Sequence, residues 1–415
     1  MFDFCKFSGQ LKIAAFLIIF LIFSCEKQGD VATGDILVSH EIEHYYSEDQ
    51  INTKLLLASI LYPDLDSIRN TTRYGVNVYK VVYRSEFMGK EQLASGLICV
   101  PDSAGSFPVL SFQNGTNTCY ENTPSENSGN QLYSILAFAA SSGYIVTIPD
   151  YFGFGASNEI LHPYLHKKST VRVIRDIIES AIELVESGKV KAKINGDLYL
   201  MGYSQGGWST INALKDIEER PISSLLPIAA DCGAGAYRLG RLSDEIFSLN
   251  EYQTPFYMPY FIYSRMTNNI ISGSLTDYFL EPYASKIPTL FDGSYCNNDI
   301  NKEFPSEVDK LIQPDFLENF ETSAKFYQMR NELDSNSARV WPLNSQLRFY
   351  HSMGDKSVFP DQSIDLYNDF LLNGADARMI DLVLNPDTTL NHNDVIIPWG
   401  VDAISWINRI KKNRH

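Results

Sequence analysis

The chain has 415 residues, of which 44% are hydrophobic and 20% are charged, a composition typical of a folded globular protein that is long enough for one large domain with insertions. Its formal net charge of −16 argues against nucleic acid or an anionic membrane surface as a partner. Residues 1–24 hold two lysines and one aspartate, a net charge of +1, so their removal would change the charge from −16 to −17.

The first segment of the chain has the features of an export signal. Two lysines precede an unbroken apolar run over residues 13–23, which is too short to span a bilayer as a helix. The run ends in Ile22-Phe23-Ser24-Cys25, which resembles the lipobox of bacterial lipoproteins. This resemblance implies that residues 1–24 are a signal peptide, that Cys25 carries the lipid, and that the protein is an exported, membrane-anchored lipoprotein of the cell envelope. A plain secretory signal or an uncleaved anchor is the alternative.

Four cysteines remain after Cys25: Cys99, Cys119, Cys232 and Cys296. An even number in an oxidising compartment allows one or two disulfides, in three pairings between which the sequence does not choose. Their spacing matches no zinc site, so we expect no metal there.

We predict a segment at residues 25–72 that precedes a main domain at residues 73–415. It begins with a polar tether that extends to about His40 and continues with a helix. Ser47 is predicted to cap this helix, because Gln50 three residues later completes a capping box.

The main domain begins with strands and continues with alternating helices and strands. Two β-rich segments at residues 76–84 and 93–100 flank a hairpin signal at Met88-Gly89-Lys90, and a third strand is predicted at residues 108–112. The following alternation predicts an α/β fold, a mostly parallel sheet with helices on both faces. The helices are predicted at 132–142, 169–187 and 205–217, and the strands at 144–148, 197–201 and 224–230.

The alternation stops near residue 236 and resumes about 100 residues later. We therefore predict an insert at residues 237–343 between two strands of the sheet. It is rich in tyrosine and phenylalanine, and we predict that it forms a cap over the site. The alternative is that these aromatic residues only fill a small core of their own. The elements after the insert are a strand at 346–351, a helix at 361–372, a strand at 378–384 and a helix from 394.

The strongest chemical signal is Gly202-Tyr203-Ser204-Gln205-Gly206. A G-x-S-x-G pattern that directly follows an apolar strand and precedes a helix is typical of a nucleophile elbow. The turn is crowded, and small residues beside the serine let its hydroxyl project from the sheet. We therefore predict that Ser204 is a nucleophile.

A serine nucleophile of this kind needs a base, which follows it in the chain. Four of the seven histidines precede Ser204. His351 falls within a predicted strand and His415 ends the chain. His392 lies in a polar loop between the last strand and the last helix, so we predict that His392 is the base.

The acid is expected directly after the strand at 346–351. Asp355 lies there. Asp361 and Asp365 instead fit the start and the solvated face of a helix, and Asp381 falls within the last strand. We therefore predict that Asp355 is the acid.

An oxyanion hole needs two backbone N–H donors. One is predicted at Gln205, directly after the serine. The other is predicted in Gln113-Asn114-Gly115-Thr116, which follows a strand, and the sequence leaves open whether Gly115 or Thr116 donates. An ordinary strand-ending turn is the alternative for this segment.

With these residues the chain resembles the secretory lipase family of α/β-hydrolases over most of residues 74–410, and more distantly the catalytic domain of prolyl-oligopeptidase-like serine peptidases. The resemblance implies an α/β-hydrolase fold with an inserted helical cap, cleavage of carboxylic esters, including lipids, and no cofactor or metal. Asn114 stands where relatives often have histidine. Besides the triad loops, the resemblance rests on Ser111-Phe112-Gln113-Asn114-Gly115-Thr116, Pro149-Asp150-Tyr151-Phe152-Gly153-Phe154-Gly155 and His162-Pro163-Tyr164-Leu165.

Three other functions stay open at this point. The first is a serine peptidase, although the chain has no room for the propeller of the prolyl-oligopeptidase type. The second is an esterase that removes acyl groups from polysaccharides. The third is a non-catalytic surface-binding lipoprotein, against which all three triad residues argue. The expected partner is a small-molecule or lipid ester, and the sequence indicates neither acyl length nor oligomeric state.

Overall fold

The computed structural model describes residues 36–414, which belong to one compact unit. The predicted signal peptide at residues 1–24 and the predicted lipid site Cys25 lie outside this range, so both stay predictions. Within the range, every helix is too short or too polar to cross a membrane.

Nine strands of the described residues form one sheet, in the order β1-β2-β3-β5-β4-β6-β7-β8-β9. The pairs from β1 to β3, and β3 with β5, are antiparallel, whereas all pairs from β5 through β4 to β9 are parallel. The predicted mostly parallel sheet is therefore confirmed. The strands are β1 (Leu37–Tyr46), β2 (Val76–Phe87), β3 (Lys90–Pro101), β4 (Gly105–Gln113), β5 (Ile145–Pro149), β6 (Ala192–Tyr203), β7 (Leu226–Gly233), β8 (Gln346–Ser352) and β9 (Ile380–Asn385).

Helices cover both faces of this sheet. The predicted capping box at Ser47 is confirmed at the start of the first helix, since Ser47 accepts the Gln50 N–H and the Gln50 side chain accepts the Ser47 N–H. The helices are α1 (Glu48–Ser59), α2 (Leu65–Arg69), α3 (Gln131–Ser141), α4 (Lys167–Glu186), α5 (Gln205–Glu219), α6 (Leu239–Phe247), α7 (Tyr257–Thr267), α8 (Tyr283–Leu290), α9 (Asn297–Lys302), α10 (Val308–Leu311), α11 (Pro314–Asn319), α12 (Tyr327–Asn336), α13 (Asp361–Leu372) and α14 (Ile396–Arg414).

Successive residues of the central strands belong to two different apolar cores. Val109 and Leu200 pack into the core that contains α4 and α5, whereas their neighbours Leu110 and Met201 pack into the core that contains α1, α3 and α14. Adjacent side chains of a strand point to opposite faces, so the sheet is buried on both sides. This explains why the central strands are continuous apolar runs.

The expected polar tether up to about His40 is wrong from Leu37 onward. Residues 37–46 form β1, which pairs with β2 at the edge of the sheet. Only Tyr46 of this strand is buried, so hydrophobic alternation did not indicate it. Its start is held by Glu183 of α4, whose carboxylate accepts the N–H groups of Ile36 and Leu37. The sheet therefore begins before residue 73.

The chain between β7 and β8, residues 234–345, contains α6 to α12; we call it the insert. Arg265 of α7 is fully buried and attaches the insert to the segment before α4. Its guanidinium donates to the carbonyl oxygens of Tyr164 and Leu165 and pairs with Glu332 of α12, with 2.9 Å between Nε and Oε2. The insert is therefore bound to the sheet domain by polar contacts as well as by packing.

One disulfide, Cys119–Cys296, links the chain after β4 to the insert. Cys99 and Cys232 are buried free thiols, and burial raises the pKa of Cys99 to about 12, so neither is a reactive thiolate. Among the described residues, no group of three His, Cys, Asp or Glu side chains is arranged to hold a metal ion.

Candidate active site

Ser204 lies in the turn between β6 and α5, with φ +61° and ψ −122°. A residue other than glycine rarely adopts this backbone conformation, because its Cβ atom crowds the backbone. The turn is held at both ends: the Ser204 N–H donates to the Gly233 carbonyl of β7, and the Ser204 carbonyl accepts the Trp208 N–H of α5. The backbone itself thus fixes the serine at the carboxyl edge of the sheet.

Two glycines beside Ser204 permit close contacts between backbone segments. A Cβ atom at Gly202 would lie 2.4 Å from the Gly206 carbonyl oxygen, and one at Gly206 would lie 2.0 Å from the Gln113 carbonyl oxygen. Both distances are far shorter than a van der Waals contact between carbon and oxygen. Glycine at position 206 therefore lets α5 start directly against the end of β4.

The structure brings the three predicted triad residues together. His392 Nε2 is 2.8 Å from Ser204 Oγ, and His392 Nδ1 is 2.5 Å from Asp355 Oδ2. All three side chains are buried, with Ser204 8% exposed and His392 and Asp355 3% exposed. A carboxylate accepts only, so Nδ1 donates to Asp355 and Nε2 is free to accept the serine proton.

Asp355 is held as a carboxylate by its surroundings. Its Oδ1 accepts the N–H groups of Ser357 and Val358, each at 2.9 Å. Burial alone would raise the pKa of Asp355, but the imidazoles of His392 and His351 outweigh it and hold the pKa well below its ordinary value. Asp355 therefore stays ionised across the neutral range.

His351, which the sequence placed only in a strand, contacts the acid. Its Nε2 is 2.8 Å from the Val358 carbonyl oxygen and 3.3 Å from Asp355 Oδ2, and its Nδ1 is 2.7 Å from Ser363 Oγ. Nε2 must carry the proton, because a carbonyl oxygen only accepts. His351 thus supports the turn that carries Asp355. In the sequence, only the position of His351 four residues before Asp355 could have indicated this contact.

The segment predicted for the oxyanion hole lies beside the serine. A Cβ atom at Gly115 would be 3.9 Å from Ser204 Cβ. The Asn114 side chain donates to the Pro149 carbonyl at 2.7 Å, and the hydroxyls of Thr116 and Tyr164 are 3.0 Å apart. The N–H of Gln205, at the first position of α5, lies directly after Ser204. The choice between Gly115 and Thr116 as second donor stays a prediction.

Sequence reasoning missed a second use of Gln205. Its side-chain Nε2 lies 2.9 Å from Nε2 of His162, whose Nδ1 lies 2.7 Å from the Phe152 carbonyl oxygen. The proton therefore resides on Nδ1, and Nε2 accepts from Gln205. Burial, with the positive charge of Arg265, lowers the pKa of His162 to about 4, so this histidine is uncharged at neutral pH. Only the resemblance through His162-Pro163-Tyr164-Leu165 indicated this region.

Aromatic residues of the insert fall into two groups. One lies near the site: Tyr257 of α7 lies beside Ser204, and Tyr260 stacks on Tyr164 and Phe291 at ring distances of 4.6 and 4.8 Å. The second group forms a cluster of mostly edge-to-face contacts within the insert, so part of the aromatic content fills a core of the insert. This cluster contains Phe247, Tyr278, Phe316, Phe320 and Phe326.

No protein-family model matches the sequence, and no curated protein matches it significantly. Solved structures do match. A candidate hydrolase from Legionella pneumophila has a TM-score of 0.81 and 23% identity over 92% of this chain and 99% of that one. The rice cell wall degrading esterase LipA from Xanthomonas oryzae has a TM-score of 0.76 and 22% identity over 91% and 97%. Candida antarctica lipase A in its closed state has a TM-score of 0.63 and 13% identity over 89% and 82%.

These likenesses are too distant in sequence to establish more than a fold. The mostly parallel sheet of nine strands, with helices on both faces, is consistent with that fold. The chain has the α/β-hydrolase fold.

Proposed function

We propose that this protein is a serine esterase or lipase that cleaves carboxylic esters through an acyl-enzyme on Ser204. One observation carries the proposal: a hydrogen-bonded chain from Asp355 through His392 reaches Ser204 Oγ at a strained turn between strand and helix. Such a chain makes a hydroxyl nucleophilic at neutral pH, because the imidazole accepts its proton during attack.

In the first half-reaction, His392 Nε2 takes the Ser204 proton as Oγ bonds to the ester carbonyl carbon. The resulting oxyanion accepts hydrogen bonds from the N–H of Gln205 and from that of Gly115 or Thr116. His392 then passes the proton to the leaving oxygen, the carbon–oxygen bond breaks, and the alcohol departs. Throughout, the carboxylate of Asp355 stabilises the imidazolium.

In the second half-reaction, a water molecule gives a proton to His392 and bonds to the acyl carbon. The tetrahedral adduct collapses, the bond to Ser204 Oγ breaks, and Oγ recovers the proton from His392. The products are a carboxylic acid and the free serine. The same two N–H donors serve both steps, because the oxyanion forms at the same place.

An ester with an apolar acyl group is the substrate class that the surroundings favour. Tyr257 of the insert lies beside Ser204, and Tyr260, which stacks on Phe291, donates its hydroxyl to the Asn117 carbonyl next to Thr116. Aromatic walls bind apolar groups. The insert would then act as the predicted cap. The names of two structural neighbours, an esterase and a lipase, agree with the cleavage of esters in general. An anchor on Cys25 would hold the enzyme at a membrane.

The test compares the full chain with Ser204→Ala on p-nitrophenyl acetate, butyrate, octanoate and palmitate. Loss of the nucleophile should lower kcat by roughly 10⁴- to 10⁶-fold, and the preferred acyl length would separate esterase from lipase. Ser180→Ala is the matched control, because this buried serine of α4 only donates to the Asp176 carbonyl. A fluorophosphonate should label wild type and the control but not Ser204→Ala.

Equal ester turnover by wild type and Ser204→Ala would disprove the proposal. Wild type that leaves all four esters intact but cleaves aminoacyl nitroanilides would instead be a peptidase.

A further inference from the structure

The loop after β4, residues 114–119, is attached to the insert; we call it the oxyanion loop. Its attachments differ in chemistry but converge on one short stretch of the insert and on α7. They are a hydrogen bond from Asn297 Nδ2 to the Thr116 carbonyl at 2.7 Å, one from the Tyr260 hydroxyl to the Asn117 carbonyl at 3.0 Å, one from the Thr118 hydroxyl to the Tyr295 carbonyl at 2.9 Å, and the Cys119–Cys296 disulfide.

Asn297 uses both ends of its amide on this loop. Its Nδ2 donates to the Thr116 carbonyl at 2.7 Å, and its Oδ1 lies 2.9 Å from the Thr118 hydroxyl, whose single proton it shares with the Tyr295 carbonyl. The orientation of the amide is unambiguous, because the Thr116 carbonyl can only accept. Asn297 begins α9, directly after the disulfide at Cys296. One side chain therefore holds two loop residues at a point where the insert is covalently tied.

The other end of the oxyanion loop is attached to the sheet. Asn114 donates to the Pro149 carbonyl at the end of β5, and its own carbonyl accepts from the Tyr151 hydroxyl at 3.2 Å. Between the two attachments lie Gly115 and Thr116, the residues that carry the candidate N–H donor. Gly115 has no side chain that could restrict its backbone. Its position depends on what holds the chain on either side.

We propose that Asn297 is a positioning residue for the oxyanion hole. By donating to the Thr116 carbonyl, it fixes the peptide group that directly follows the two candidate donors, and so restricts the rotation of the chain that presents the N–H of Gly115 or Thr116 to the developing oxyanion. Oxyanion stabilisation depends on donors that are already oriented before the reaction, and a displacement of about 1 Å can lower a rate by about 100-fold. The inference rests on the proposed ester hydrolysis, and it makes the insert part of the catalytic arrangement.

The test is Asn297→Asp in the full chain. This substitution keeps an oxygen for the Thr118 hydroxyl but places a second oxygen against the Thr116 carbonyl, which repels it. We expect kcat on p-nitrophenyl butyrate to fall about 10- to 100-fold, less than for outright loss of a donor, with KM changed less than about threefold. The pH at half-maximal kcat should stay unchanged, because His392 and Asp355 keep their contacts.

Asn301→Asp is the matched control. Asn301 lies on the same helix and also donates to a carbonyl of the insert, that of Gln253, at 3.0 Å, but it does not touch the oxyanion loop. Its kcat should stay within about twofold of wild type. Asn297→Ala, which removes the donor without adding charge, keeps the test valid if Asn297→Asp fails to fold.

A second measurement separates positioning from general damage. A trifluoromethyl ketone forms an oxyanion on the serine, so its Ki should rise in Asn297→Asp in proportion to the fall in kcat/KM. A kcat within twofold of wild type in both Asn297 variants would overturn the inference, as would a loss confined to KM; either would leave the proposed function intact. Wild type that neither turns over esters nor reacts with fluorophosphonate would overturn both.

Discussion

The carboxyl edge of the sheet and the insert position their residues in different ways. At the edge, Ser204 is placed by backbone: a strained turn, a strand on each side and glycines that allow close contact. In the insert, placement depends on side chains, such as the buried Arg265 and the Asn297 amide. Backbone placement is tied to the fold itself, whereas side-chain placement can change with single substitutions. We infer that the carboxyl edge of the sheet carries the reacting groups and that the insert adjusts the rate of the reaction.

The strongest test of the edge is Asp355→Asn. Oδ1 of Asp355 accepts two backbone N–H groups, so the asparagine oxygen should take that place and its NH₂ should face His392 Nδ1. The imidazole would then carry its proton on Nε2 and could not accept from Ser204. We expect kcat to fall by roughly 10³- to 10⁴-fold with the fold retained.

Asp381→Asn in β9 is the control for this measurement, since Asp381 is exposed and competed with Asp355 as the acid in the sequence. Steady-state kinetics of both variants would measure the change in kcat, and circular dichroism would show whether the fold is retained. Loss of activity in Asp381→Asn alone would transfer the acid role to that residue.

The corresponding test of the insert is Glu332→Ala. Arg265 is fully buried, and its other hydrogen bonds are to neutral groups, so removal of Glu332 leaves an uncompensated charge. Breaking a buried pair from one side costs roughly 3 to 5 kcal/mol. We expect the free energy of unfolding in urea to fall by this amount, while kcat of the folded enzyme changes less than about tenfold.

Glu318→Ala on α11 controls for loss of a glutamate from the insert, because Glu318 is exposed and should change stability by less than about 0.5 kcal/mol. A Glu332→Ala protein as stable as this control would mean that the insert is held by packing alone.

The smallest expected effect is that of Asp150→Asn, on the loop after β5. Burial raises the pKa of Asp150 from 3.8 to about 6, against the hydrogen bonds that it accepts from Ser125 and Ser95. Because the folded-state pKa is the higher one, this group's contribution to stability is full below pH 3.8 and is lost as pH rises through about 6. The loss amounts to roughly 3 kcal/mol.

Urea unfolding of wild type and Asp150→Asn at pH 4 and pH 7.5 measures this effect. The asparagine does not titrate, so the variant should gain stability relative to wild type at the higher pH, with kcat within about threefold. A difference that is independent of pH would show that Asp150 stays ionised in the folded protein, and a large fall in kcat would bring the loop into the site.

Much of the carboxyl edge could be predicted from the sequence, because hydrophobic periodicity and the residues that favour turns determine its strands and helices locally. The helix predicted at 361–372 has the bounds of α13, and the strand predicted at 346–351 is one residue shorter than β8. The strand predicted at 197–201 is longer in the structure, as β6. Asn195 and Gly196 indicate a turn, yet they fall within the strand, where the register with β4 shifts.

What could not be predicted depends on contacts between distant parts of the chain. The disulfide joins cysteines that are 177 residues apart, and the sequence did not distinguish the three possible pairings. Nothing in the sequence links His162 to Gln205 or Asn297 to Thr116, and only the fold brings each pair together. Strand β1 escaped prediction because it lies at the edge of the sheet, where its apolar and polar side chains are both largely exposed, so its sequence shows no alternation.

The conformation of Ser204 also has a consequence for stability. A non-glycine residue held at φ +61° costs the folded state about 1 to 3 kcal/mol, a substantial part of the 5 to 15 kcal/mol that separates most folded proteins from their unfolded chains. Glycine would adopt the same turn at lower cost but offers no hydroxyl. The nucleophilic hydroxyl and the stability of the fold thus make opposite demands at this single position. The packing of α5 against β4 and β7 must offset the free-energy cost of the turn.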